Sequence, residues 1–344
     1  MRKKIESLRM KGFGGILLCF SLFFFISSAV ADTIDAPSAV AVDAQTGKIL
    51  YGKNPHLKLP PASTTKLVTT MVALDRLSPQ QKVTISERAA KTHSVEPKLK
   101  EGETYTVHDL IYLALMRSVN SAAVALAEAV SGSEETFVKL MNEKVKQIGA
   151  KDTKFANASG LPGKEQYTTV FDLTKIMSKA LSYPLIKEAI HTRVCLVRSE
   201  DGKEHFIQNT NQLLWVEDGM IGGKTGYTSR ARHCFVSATT IDNRLVYTAI
   251  LGVSNREKLW KETKILLAKA EDILSGKNEP FVHFTSEKNI VKASYKKSKS
   301  AESRKKVIST KNKSSKKQHA VKRSPNKKST QTRGNNAKIN SQSI

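Results

Sequence analysis

Of the net charge of +25 on this 344-residue chain, +16 lies in residues 291–344 alone, where 17 lysines and arginines face a single acid, Glu302. The rest of that segment is mostly Ser, Asn, Gln and Thr, with almost no large apolar side chains. Such a chain cannot bury enough surface to offset the entropy of ordering it, so the segment reads as disordered. Whatever folds lies upstream. Residues 1–31 hold a further +4, which leaves only +5 for residues 32–290. The basicity therefore belongs to the ends, and the middle is only mildly basic. At 40% apolar residues the chain has ample material for a sizeable core.

The N-terminus reads as an export signal. Basic residues run through Lys11, an apolar stretch follows from Ile16 to Ile26, and Ala29-Val30-Ala31 offers small residues for a signal peptidase. The apolar run is shorter than the ~20 residues that span a bilayer comfortably. The expected division is a signal over residues 1–31, one catalytic domain over 32–278 and a basic tail over 279–344. With Cys19 inside the signal, Cys195 and Cys234 remain, and two free thiols are the expected state. The histidines and cysteines show no metal-ligand spacing, so no metal and no cofactor is expected.

Along the middle, Ser38–Asp43 and Thr46–Tyr51 read as two strands joined by a turn. Pro60-Pro61 opens a helix from Ser63 to about Asp75. Thr106 is placed to cap the next helix, with Asp109 in its first turn. Helical patterns recur at 122–130, 134–148, 172–181 and 257–273, and strand-like runs at 194–197, 235–239 and 245–251. Strands at both ends enclosing a helical middle predict one α+β domain with a helical insertion.

A Ser-x-x-Lys by itself says little, because Ser294, Ser303, Ser314 and Ser324 in the tail also have Lys three residues on. Ser63-Thr64-Thr65-Lys66 differs in context, at a helix start running into apolar Leu67-Val68. Residues i and i+3 share a helix face, which sets the lysine beside the hydroxyl. The unbonded N–H groups of the helix start are available to an oxyanion. Ser118-Val119-Asn120 follows 55 residues downstream, and Lys224-Thr225-Gly226 another 106 residues on. Order and context fit the trio S-x-x-K, S-D-N and K-T-G of β-lactamases and penicillin-binding proteins.

On these motifs the chain resembles the low-molecular-mass penicillin-binding proteins, serine-type D-alanyl-D-alanine carboxypeptidases of bacterial peptidoglycan maturation. The resemblance covers roughly residues 34–275 and extends to Phe155-Ala156-Asn157 with Gly160-Leu161, Asn209–Leu214 and Gly222–Thr228. It implies a β-lactamase/transpeptidase-like fold, an antiparallel sheet flanked by helices with a helical subdomain. It also implies that Ser63 attacks the penultimate D-Ala carbonyl while Lys66 takes the hydroxyl proton. That role requires a depressed lysine pKa, from burial and a second cation such as Lys224. Ser118 would relay a proton to the leaving amine and Asn120 would hold the substrate amide. Lys224, Thr225 and, by resemblance, Arg256 would grip the terminal carboxylate. The N–H groups of Ser63 and Tyr227, beside Gly226, would form the oxyanion hole. The Asn157 and Asn209 stretches are expected to shape the fold only.

Three departures stand out. Val119 replaces a small residue and is expected to tighten the cleft. Ala231-Arg232 replaces Ala-Gly, and the basic tail stands where many relatives carry a β-rich domain. A β-lactamase shares the trio, but one class needs a loop Glu in a Glu-x-x-x-Asn context, and the loop here offers only Glu165 without it. A cross-link endopeptidase needs the same catalytic set and is not separable at this level. A non-catalytic envelope-binding protein is the remaining alternative. The expected partners are a peptidoglycan stem peptide and β-lactams as inhibitors. The basic tail is expected to meet anionic envelope polymers or lipid headgroups. An exported chain is expected to meet no nucleic acid, and the expected location is the periplasm or extracytoplasmic envelope.

Overall fold

The structure, a computed structural model, describes residues 33–285. The expected signal and most of the basic tail lie outside the described residues. In chain order the first elements are strand β1 (Ser38–Asp43), β2 (Ile49–Lys53), helix α1 (Lys66–Leu74), β3 (Lys82–Thr84), α2 (Glu87–Lys91) and β4 (Thr104–Thr106). Helices α3 (Val107–Leu115), α4 (Asn120–Ser131), α5 (Glu134–Ile148), α6 (Val170–Ala180) and α7 (Pro184–His191) follow. Strands β5 (Val194–Arg198), β6 (Glu204–Gln208), β7 (Met220–Thr228), β8 (Arg232–Ile241) and β9 (Arg244–Val253) lead to α8 (Arg256–Leu274) and β10 (Phe281–His283).

Side-chain caps start several of the helices. Thr106 accepts from the Asp109 N–H at 3.1 Å and donates to its carboxylate at 2.7 Å, as the sequence predicts. Ser133, Thr169 and Asn255 cap α5, α6 and α8 in the same way. Pro184 opens α7, where its missing N–H costs nothing.

The main sheet runs β10-β2-β1-β9-β8-β7, and every neighbouring pair is antiparallel except β10 on β2. Alternation along β1 divides its side chains between two cores. Val40 and Val42 face the helical lobe with Leu67, Val68 and Leu110, while Ala39 and Ala41 join Phe235, Ile250 and Leu266 under α8. The sheet is thus covered on both faces, which explains why all six residues of β1 are buried. The α+β architecture with a helical lobe is as expected.

β5 lies at the strand-like run read at 194–197. Other elements had no legible signal: its partner β6 exposes Phe206, and β3 and β4 have three residues each. β10 falls inside the segment assigned to the tail. Thr285 beyond it donates its N–H to Asn54 Oδ1 at 2.8 Å, so the folded part runs past residue 278. Cys195 and Cys234 are both free. No helix among the described residues is long and apolar enough to cross a membrane.

Candidate active site

Three elements converge at Ser63: the start of α1, the turn before α4, and the sheet-edge strand β7. Ser63 does not sit on the α-helix itself but in a 3-10 turn, Ala62–Thr65, that leads into it. In a 3-10 turn residues i and i+3 eclipse, which brings Lys66 over Ser63 more closely than an α-helix does. Lys66 is fully buried, and its Nζ lies 3.0 Å from Ser63 Oγ, 2.6 Å from Asn120 Oδ1 and 2.6 Å from the Ser159 carbonyl oxygen. Burial, together with the positive charge of Lys224, holds the Lys66 pKa well below the usual lysine range.

A neutral amine has two N–H donors and one lone pair. Asn120 Oδ1 and the Ser159 carbonyl can only accept, so they take the two N–H groups. In the neutral form the lone pair is left for the Ser63 hydroxyl, which can then donate to it across the 3.0 Å contact. That is the arrangement of a general base on a nucleophile.

The acceptors around Lys66 are themselves held. Asn120 donates through Nδ2 to the His93 carbonyl at 2.7 Å, and its N–H donates to Ser94 Oγ at 2.8 Å. Both ends of the Asn120 amide are therefore occupied, one by Lys66 and one by the His93 loop. The Ser159 carbonyl is presented by a turn in which Asn157 Oδ1 accepts from the Gly160 N–H at 2.7 Å. Gly160 has φ of +80°, and a Cβ there would sit 1.9 Å from the Ala62 carbonyl oxygen. Only glycine allows that approach.

Ser118, Lys224 and Thr225 form a second group. Lys224 is fully buried and donates to Ser118 Oγ at 3.0 Å and to the Thr225 carbonyl at 2.8 Å. Burial pulls its pKa from 10.5 down to about 7. Thr225 Oγ1 lies 2.6 Å from Thr210 Oγ1, and Arg256 donates to the Thr210 carbonyl at 3.2 Å. Thr210 thus joins Thr225 to Arg256. It falls within the Asn209–Leu214 stretch, for which the sequence predicts only a structural role. Gly226 lets β7 pass the nucleophile, since a Cβ there would lie 2.8 Å from Ser63 N. The Tyr227 side chain is exposed, its ring centroid 4.5 Å from that of His233.

The departures resolve differently. Val119 is fully buried in the hydrophobic core, so the bulk expected to tighten the cleft is absorbed by packing. Arg232 takes a left-handed φ of 61° at the entry to β8, where its charge and that of Arg256 add to burial in lowering the His233 pKa. Glu165 is exposed and paired with Lys154 at 2.6 Å.

A family model described as D-alanyl-D-alanine carboxypeptidase, Peptidase_S11, matches residues 26–255. The chain belongs to the D-alanyl-D-alanine carboxypeptidase family. Among curated members it is 35% identical over 238 residues to the D-alanyl-D-alanine carboxypeptidase DacF of Bacillus subtilis, covering 67% of this chain and 61% of DacF. The chain thus spans less than two thirds of that relative. It is 33% identical over 277 residues to a D-alanyl-D-alanine endopeptidase of Pseudomonas aeruginosa, covering 72% of this chain and 88% of the relative. The crystal structure of a D-alanyl-D-alanine carboxypeptidase from Mycobacterium tuberculosis superposes with a TM-score of 0.64 at 30% identity, covering 68% of this chain and 90% of that one. The family fold accounts for both the sheet and the helical lobe described above.

Proposed function

We propose that the chain is a serine D-Ala-D-Ala carboxypeptidase of the cell envelope that trims peptidoglycan stem pentapeptides through an acyl-enzyme on Ser63. One observation carries the reading: Lys66 is fully buried, with two fixed acceptors for its N–H groups and its third contact on Ser63 Oγ.

Ser63 Oγ attacks the penultimate D-Ala carbonyl as its proton passes to Lys66. The oxyanion is met by the N–H groups of Ser63 and Tyr227. Ser118, in contact with Lys224, gives its proton to the leaving amine and is resupplied with the one that Lys66 took from Ser63, which leaves Lys66 neutral again. The C–N bond breaks, the Ser63 ester remains and D-Ala departs. Lys224, Thr225 and Arg256, with Thr210 between the last two, hold the terminal carboxylate, and the wall of this clamp is cationic. Water then attacks the ester with Lys66 as base and restores Ser63. A β-lactam follows the same first step, but its ring opens without releasing a fragment, so the adduct persists.

Asn120 supports Lys66 in this scheme and offers the substrate amide a partner only if its bond to His93 is exchanged. The basic tail provides electrostatic attachment to anionic envelope polymers or lipid headgroups, sensitive to salt.

The test is labelling by a fluorescent penicillin of wild type beside Ser63→Ala. A long-lived adduct on wild type alone is expected. Equal labelling of both proteins overturns the assignment of the nucleophile, and rapid penicillin turnover by wild type replaces the carboxypeptidase with a β-lactamase.

A further inference from the structure

A cavity of about 520 Å³ lies outside the site described above, and no residue of the catalytic group or of the carboxylate clamp lines it. One wall is Leu59-Pro60, which leads to the turn of Ser63, and another is Ser229–Arg232, between β7 and β8. We infer that this cavity binds a small zwitterionic amino acid, with its ammonium on Glu262 and its carboxylate on Lys53. The site does not depend on the chemistry at Ser63. That D-alanine is at hand to fill it rests on the carboxypeptidase reading above.

Two opposite charges without ionic partners are the first argument. Glu262 on α8 lines the cavity and is only 4% exposed. Its Oε2 accepts from the Ala36 N–H at 2.9 Å, while Oε1 accepts no hydrogen bond among the described residues. Lys53 on β2 is half-buried, and its Nζ donates once, to the Ile34 carbonyl at 2.6 Å. Its other two N–H groups have no acceptor among the described residues. Lys258 in the same wall is by contrast paired, with Asp35 at 2.9 Å. Burial raises the Glu262 pKa and lowers that of Lys53, as befits charges short of counter-charge. A buried charge is ordinarily paired.

Spacing is the second argument. The anchors Ile34 and Ala36 are two residues apart, so at ~3.3–3.6 Å per residue they lie within about 7 Å of each other. Lys53 and Glu262 are thus neighbours, close enough for each charge to influence the other's titration. They nevertheless form no ion pair. A ligand that carries both charges at the two ends of one small amino acid fits between them.

Simpler ligands fit worse. A lone anion drawn to Lys53 meets Glu262, and a lone cation drawn to Glu262 meets Lys53. Only a molecule with both signs answers both. Pro37, Leu59, Pro60 and Val253 give the cavity an apolar side for a small alkyl group. Its volume lies within the roughly 300–1,000 Å³ of small-ligand sites and exceeds one alanine, so waters share the site.

The full-length protein is first acylated with penicillin, which closes the catalytic site to D-alanine, and is then titrated with D-alanine by isothermal titration calorimetry. One site with a Kd of about 1 mM or tighter is expected. D-Alaninamide lacks the carboxylate and N-acetyl-D-alanine lacks the ammonium, and each should bind about tenfold more weakly or worse. The same loss is expected for D-alanine on Glu262→Gln, which keeps an acceptor for the Ala36 N–H, and on Lys53→Met. Penicillin should acylate both variants within about twofold of the wild-type rate, which shows that they fold. The two analogues keep the test decisive should a variant not fold. Absence of binding to acylated wild type overturns the inference and leaves the cavity to water. So does an analogue that binds as well as D-alanine, or a folded variant that binds D-alanine as wild type does. A wild type that penicillin does not acylate sinks the reading at Ser63 instead, and the same titrations of the unblocked proteins then decide this one.

Discussion

Replacing Lys224 by Met should destroy activity and make the protein more stable at neutral pH. In the folded chain burial pulls the Lys224 pKa from 10.5 to about 7. Between those values the unfolded chain holds a proton that the folded chain has released, so the unfolded state binds more protons and stability rises with pH. The penalty is full below about pH 7, shrinks through the window and vanishes near 10.5. At pH 7 it amounts to about 4 kcal/mol, taking 1.36 kcal/mol per pKa unit. Methionine removes this penalty but also loses the bonds to Ser118 and the Thr225 carbonyl. At the usual net value of a hydrogen bond these amount to about 1–2 kcal/mol. The expected net gain is about 2–3 kcal/mol, or roughly 5–10 °C in Tm for a domain of this size. Lys66 contributes in the same direction, because the positive charge beside it has gone. Thermal denaturation followed by circular dichroism at pH 7 and pH 10 measures this, with penicillin acylation assayed in parallel. Acylation should fall by roughly 100-fold or more, the loss seen when one preorganised electrostatic contact is removed. A variant less stable than wild type at pH 7 would refute the reasoning, and so would a gain that persists at pH 10.

Two further outcomes follow from the same geometry. Gly160→Ala forces a Cβ into the Ala62 carbonyl at a left-handed φ of +80°. It should cost at least about 1–2 kcal/mol from the backbone alone. It should also slow acylation sharply by shifting the Ser159 carbonyl off Lys66; wild-type acylation in this variant would remove that carbonyl from the mechanism. Deleting residues 286–344 should leave penicillin acylation unchanged and weaken retention on anionic envelope fractions in a salt-dependent way. Loss of acylation would mean that the tail belongs to the catalytic fold.

The parts of the site that could be read beforehand are those whose side chains carry chemistry at fixed spacing. Ser63 and Lys66 are tied by three residues of one turn, and Ser118 and Lys224 by motifs with few other uses. Ser159 acts through a backbone carbonyl, which any residue possesses, so only the Asn157-to-Gly160 turn hinted at it. Thr210 sits in a stretch rich in Asn whose turn chemistry masked the contact with Thr225. For the fold, β1 and α5 have the bounds read from alternation and periodicity, 38–43 and 134–148. β10 and the strands β3 and β4 could not be read, because three residues do not establish a period. Val119 shows the opposite failure. The sequence places its bulk in the cleft, while the N-cap position on α4 turns it into the core.

The costs at this site share one cause. Ala62 and Ser118, neither a glycine, hold left-handed φ values of 48° and 66°, and two lysines are buried without a carboxylate partner. Each feature is unfavourable for folding, by about 1–3 kcal/mol for each strained backbone. A carboxylate beside Lys66 would relieve much of the electrostatic cost, but it would also raise the lysine pKa and abolish the base. The oxygens that surround Lys66 instead, an amide and a carbonyl, satisfy its N–H groups without adding negative charge. They leave the second ammonium as the nearest ionic influence, and that influence lowers the pKa. In the function proposed, the same choice keeps the wall that would grip the terminal carboxylate free of acids, which would repel it. Neutral acceptors around the base and unopposed cations at the clamp are therefore one design requirement, and the stability gain expected from Lys224→Met is its measurable counterpart.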